Sequence, residues 1–135
     1  MKTIDGCGTS LFLHGKVSRN IVLDFMMHTN FTVLLRSPTL RYAKAGFPSK
    51  VIESMATGTP VICNITSDLS DFLCDGDNSI IVKGCTASDF KDAISRALQL
   101  SYEDLNRLSY NARMTIESRF DYRLFVESFA DFIRR

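Results

Sequence analysis

Apolar positions follow two rhythms along this chain. Four short runs are the length of strands: Leu11-Phe12-Leu13, Phe31-Thr32-Val33-Leu34-Leu35, Val61-Ile62-Cys63 and Ile80-Ile81-Val82. The last two are apolar throughout, the pattern of strands buried on both faces. Between the runs, apolar residues fall at helical spacing. The sets are Ile21, Val22, Phe25 and Met26; Val51, Ile52, Met55 and Ala56; Phe90, Ile94, Ala97 and Leu98; and Leu105, Leu108, Ala112 and Ile116. A last stripe, Phe125, Phe129, Phe132 and Ile133, predicts core packing. Strands alternating with amphipathic helices predict an α/β fold: a parallel sheet of about four strands with helices on both faces. Residues 1–135 read as a single domain. Within it, 11–135 carry the fold, and 1–10 are a partly disordered lead or the remnant of an upstream element.

Punctuation supports these boundaries. Ser18, Thr66 to Asp68, Ser101 and Asp121 are placed to cap helix starts, and Thr86 with Asp89 forms a capping box. Asn30 suits a helix exit, and Asp75-Gly76-Asp77-Asn78 is turn chemistry. The densest signal is Ala45 to Ile62. Gly46 loosens the backbone, Pro48 suits the first helical turn, Gly58 fits the left-handed residue that ends a helix, and Pro60 follows where helix cannot continue.

Composition narrows the function classes. With 45% hydrophobic and 23% charged residues the chain is ordinary for a globular protein, and a net charge of +1 implies no nucleic-acid partner. No apolar run is long enough to span a membrane, and the first residues lack the core of a signal peptide. Cys7, Cys63, Cys74 and Cys85 form no C-x-x-C pair, so they read as free thiols of a reducing cytosol rather than zinc ligands. There is no cluster of metal ligands, no nucleophile–histidine pairing around Ser49 or Ser54, and no G-x-G-x-x-G or Walker loop. No metal or cofactor is expected.

In parallel sheets ligands bind beyond the carboxyl ends of the strands. The loops after His14, Leu35 and Cys63 would share that edge. A helix opening near Pro48 presents free amides and a positive dipole end, which favour an anion. Lys50 and Glu53 are three apart and share a face. A cation beside such amides, with a carboxylate one turn deeper, can hold a phosphate and a sugar hydroxyl together. Arg36, Arg41 and Lys44 make the loop after Leu35 basic, either as charge for a diphosphate or as a solvated loop. His14 reads as structural, and His28 as a partner for a helix carboxyl end.

The segment Gly46-Phe47-Pro48-Ser49-Lys50-x-x-Glu53-x-Met55-Ala56-x-Gly58-x-Pro60-Val61-Ile62, preceded by Gly15-x-Val17 and Val33-Leu34-Leu35 and followed by Asp75-Gly76-x-Asn78, resembles the C-terminal domain of family 4 glycosyltransferases. These are retaining enzymes of the GT-B fold that use nucleotide-diphosphate sugars. The resemblance runs from about Leu11 to the C-terminus and implies a Rossmann-like domain. It implies that Glu53 accepts hydrogen bonds from ribose hydroxyls, that the backbone of Gly46, Phe47, Pro48 and Ser49 approaches sugar and phosphate, and that the Gly15-Lys16-Val17 turn holds the base. Lys50, Arg36 and Arg41 would supply cationic charge. The family's first motif glutamate falls at Ala45, a departure that removes a donor-sugar contact.

Two strand–helix units that open the family's C-terminal domain, and its N-terminal acceptor domain, have no counterpart here. The resemblance therefore implies part of a larger enzyme, inactive alone, with an exposed sheet edge suited to a homodimer unless the Leu11 and Phe31 strands pair directly. It also implies a cytoplasmic location, with the parent enzyme peripheral at the inner membrane face. The alternative is a non-catalytic module for nucleotide-sugar binding or partner interaction. A receiver-type signalling domain has little support, because its strands should end in acidic residues where His14 and Arg36 stand.

Overall fold

The computed structural model describes residues 2–3, 12–41, 43 and 46–134. Met1, residues 4–11 with Cys7 and Leu11 among them, Tyr42, Lys44, Ala45 and Arg135 lie outside the described residues. The order is β1 (Lys2–Thr3), β2 (Phe12–Leu13), α1 (Arg19–Met27), β3 (Thr32–Leu34), α2 (Ser49–Ala56), β4 (Val61–Asn64), a 3-10 turn (Ser67–Asp71), β5 (Ser79–Val82), α3 (Ala87–Leu98), α4 (Tyr102–Arg119), a second 3-10 turn (Tyr122–Phe125) and α5 (Val126–Ile133).

The principal sheet is parallel, in the order β3-β4-β5, with Val33 opposite Ile62 and Ile62 opposite Ile80. All four residues of β4 are buried, as its continuous apolar run requires. Alternate residues point to opposite faces. On one face Leu34, Val61, Cys63 and Ile81 meet Val51 and Met55 of α2 and Ala112 and Ile116 of α4. On the other, Ile62, Ile80 and Val82 meet Ala93 and Ile94 of α3. The helices therefore cover both faces.

Among the described residues the sheet has three parallel strands where about four were expected. Phe12–Leu13 does not join it, but pairs antiparallel with Lys2–Thr3 in a separate two-stranded ribbon. The outer edge of β3 thus has no strand partner among the described residues, and Val33 is 50% exposed. A second departure concerns the terminal stripe: Phe125, Phe129, Phe132 and Ile133 are all exposed, and α5 buries no residue. Its packing is against the adjoining 3-10 turn, so helical periodicity there marks an apolar face without a core to receive it.

Local chemistry explains most boundaries. Thr86 and Asp89 form the reciprocal capping box of α3, and the Ser101 side chain accepts from the Asp104 amide at the start of α4. Asp121 caps the 3-10 turn that precedes α5. Ser18 and Thr66 occupy cap positions, but neither side chain makes the capping bond. His28 ends α1 as expected, its Nδ1 lying 2.8 Å from the Asp24 carbonyl.

The exit from α2 is a Schellman turn. The Thr59 amide bonds the Ser54 carbonyl at 3.0 Å and the Gly58 amide bonds that of Met55 at 2.9 Å, with Gly58 at φ 79°. No atom lies within 4 Å of a Cβ added at Gly58, so Gly58→Ala introduces backbone strain alone. It is expected to cost about 1–2 kcal/mol, read as a lower urea midpoint at unchanged slope.

Candidate functional site

The start of α2 is open. Pro48 stands one residue before the helix with extended dihedrals, no side chain caps the start, and the first turn carries no acidic residue. Pro48 is buried, and the loop before it is anchored by the Phe47 ring. That ring packs against Phe72 and Phe120, with centroids 5.6 and 5.8 Å away. The side chain of Phe47 is thus spent on packing, and main chain is what this loop offers at the sheet's edge.

Lys50 Nζ donates to Glu53 Oε2 at 2.6 Å, so the two candidates do meet on one helix face. That bond is the main cause holding the Glu53 carboxyl below its ordinary range, with smaller help from the charges of Lys50 and Arg19 and opposition from burial. Arg19 opens α1, two residues after Val17. Its charge acts on Glu53 across the contact between α1 and α2. Gly15 takes φ 68°, and Lys16 is exposed.

Arg36 is half-buried in the loop after β3. Its Nη1 donates to the Gly46 carbonyl at 3.0 Å. Through this bond the guanidinium braces the loop before α2. Arg41 is exposed at the same loop, and Ser49 is exposed at the first helical position. His14 packs its ring on Phe25 at 4.8 Å.

The supporting roles of three residues escaped the sequence reading. Ser54 is fully buried on α2 and donates to the Thr59 carbonyl at 2.8 Å; its oxygen lies 2.6 Å from the Thr32 hydroxyl, which therefore donates to it. Asn64 pairs with the main chain of Arg36 in both directions. Asn78, quoted above for a turn, is buried and bonds the Cys74 amide, the Phe72 carbonyl and Thr115. Its role is to hold the loop between β4 and β5. Among the described residues the thiols are free; Cys74 and Cys85 are exposed, and burial pushes Cys63 up to about 12, which makes it an inert filler of the core. No group of three metal-ligating side chains occurs among the described residues, and none of their helices is long and apolar enough to cross a membrane.

This geometry sits inside a segment with known relatives. Residues 5–115 match the family described as "Glycosyl transferases group 1". The chain belongs to that family. Among solved structures it is similar to sucrose-phosphate synthase from Thermosynechococcus elongatus, with a TM-score of 0.72 and 22% identity over 89% of this chain. It is also similar to HepE from Anabaena, solved in complex with UDP-glucose, with a TM-score of 0.67 and 15% identity over 82% of this chain. Those likenesses establish a shared fold. The group 1 chain spans 28% and 29% of these two proteins. The comparison with curated proteins finds no match.

The Lys50–Glu53 pair has a pH signature. A depressed carboxyl contributes stability that is present above its ordinary value of 4.5 and lost as pH falls through the folded value. Lys50→Met is expected to raise the Glu53 pKa toward 4.5, measured by NMR titration of the Glu53 side-chain carbonyl.

Proposed function

We propose that this chain is the donor-binding part of a retaining, family 4 glycosyltransferase of GT-B architecture, corresponding to much of its C-terminal domain. The observation that carries the reading is the Lys50–Glu53 pair at the uncapped start of α2, within the family-matched segment. In this reading the α2 amides and Lys50 neutralise the leaving diphosphate, electrostatic stabilisation by groups placed in advance. Glu53 accepts from the ribose hydroxyls. The main chain of Gly46, Phe47 and Pro48 approaches the phosphate and sugar, and the Gly15-Lys16-Val17 turn receives the base. Arg41 and Ser49, both exposed beside the helix start, remain donor contacts in the proposal.

Sugar transfer itself is proposed for a whole protein, in which an acceptor-binding domain completes the cleft. The complex of HepE with UDP-glucose supports UDP as the first donor fragment to try. In calorimetric titration with UDP, Glu53→Ala should weaken binding about tenfold, as expected for lost hydrogen bonds to a charged acceptor. Equal affinity of wild type and variant would remove Glu53 from the site.

A second reading, a partner-interaction module, is favoured by the edge of β3, which has no strand partner among the described residues. Beside it Phe31, Val33, Ile62, Ala97 and Leu98 line an apolar groove of about 450 Å³. Self-pairing along that edge would give a homodimer. Light scattering should then show mass rising to twice the monomer with concentration; a monomer throughout would count against self-association.

A further inference from the structure

β3 stops at Leu34 while β4 continues to Asn64. One residue beyond Leu35, the backbone of Arg36 is held by a side chain in place of a strand. The Arg36 amide donates to Asn64 Oδ1 at 2.9 Å, and Asn64 Nδ2 donates to the Arg36 carbonyl at 2.7 Å. The Cys85 thiol, from the turn after β5, reaches the same carbonyl at 3.4 Å. The Arg36 amide needs an acceptor and its carbonyl a donor, so only one orientation of the Asn64 amide satisfies both. Asn64 is 6% exposed, which makes each of these bonds expensive to lose. With its backbone fixed, Arg36 delivers its guanidinium to the Gly46 carbonyl, ten residues on.

We propose that Asn64 and Arg36 form a positioning clamp. It fixes the Gly46–Pro48 loop, and with it the start of α2, in the placement an incoming phosphate requires. The link to phosphate rests on the donor-binding reading; the mechanical link to the loop does not. Asparagine is the residue that fits, since it offers one donor and one acceptor in a plane. Aspartate has the same shape but would set a carboxylate oxygen against the Arg36 carbonyl.

Hydrogen exchange at the Val51 amide, which donates to the Pro48 carbonyl at 2.9 Å, followed by NMR on the free chain, tests the clamp without a ligand. Asn64→Asp removes the donor to the Arg36 carbonyl, and Arg36→Met keeps the stem while removing the guanidinium. Exchange at the Val51 amide is expected to rise about tenfold in each variant, with the β4 amides unchanged. Unchanged exchange in the folded variants overturns the clamp; if Asn64→Asp does not fold, Arg36→Met alone decides. UDP titration then separates positioning from contact. Each single variant should lose about tenfold in affinity, and the double variant no more than the weaker single, because both act through one path. Full additivity would overturn the positioning role in favour of direct nucleotide contact. Should wild type fail to bind UDP, the donor reading falls, while exchange still decides the clamp.

Discussion

The complete burial of β4 is the constraint on which the rest depends. A four-residue strand covered on both faces must hydrogen-bond both of its edges, and β3 and β5 do so in parallel register. Everything near the candidate site is then placed by how the chain enters and leaves that strand. It enters from α2 through the Gly58 turn, whose carbonyl and hydroxyl bonds run from Ser54 to Thr59 and on from Thr59 to the Met26 carbonyl. It leaves through Asn64. The start of α2 is therefore fixed at one end by packing onto Val61 and Cys63, and at the other by bonds reaching back from the end of the same strand.

Magnitudes suggest why Lys50 and Glu53 are better understood as chemistry than as stability. A cation in the first turn of a helix works against the dipole by roughly 0.3–1 kcal/mol. A largely exposed ion pair returns about 0–1 kcal/mol, and Lys50 is 56% exposed. The two effects nearly cancel, so the pair adds little to the fold. A phosphate at the helix start would change the sum, since it would meet the amides and the ammonium together.

Much of the fold was legible because its signals are local. The apolar runs gave β3, β4 and β5, the helical spacing gave the covered faces of α2, α3 and α4 with the exception of the exposed Leu98, and Gly58 and the Thr86–Asp89 box gave ends that the structure reproduces. What stayed hidden is non-local. Phe12–Leu13 is as apolar as any strand, yet its partner is set by which edge reaches it, and that edge is Lys2–Thr3. Arg36 looks like any basic loop residue until Asn64, 28 positions later, fixes its backbone. Ser54 reads as a polar interruption of a helix face, and only the closeness of Thr32 makes it a buried relay. The Lys50–Glu53 contact lay within reach of sequence because three residues on one helix are neighbours whatever the tertiary structure.

The isolation of α5 also bears on how the molecule comes apart. This helix shares no buried residue with the sheet, so its unfolding costs the core nothing. Opening free energy within a native protein follows buried contact, and segments that lack it fray independently of the global transition. The molecule therefore has two stabilities. One belongs to the β4-centred body and the other, much smaller, to a terminal helix that can melt and reform while the body stays folded. Proteases that act on open chain would meet the second long before the first.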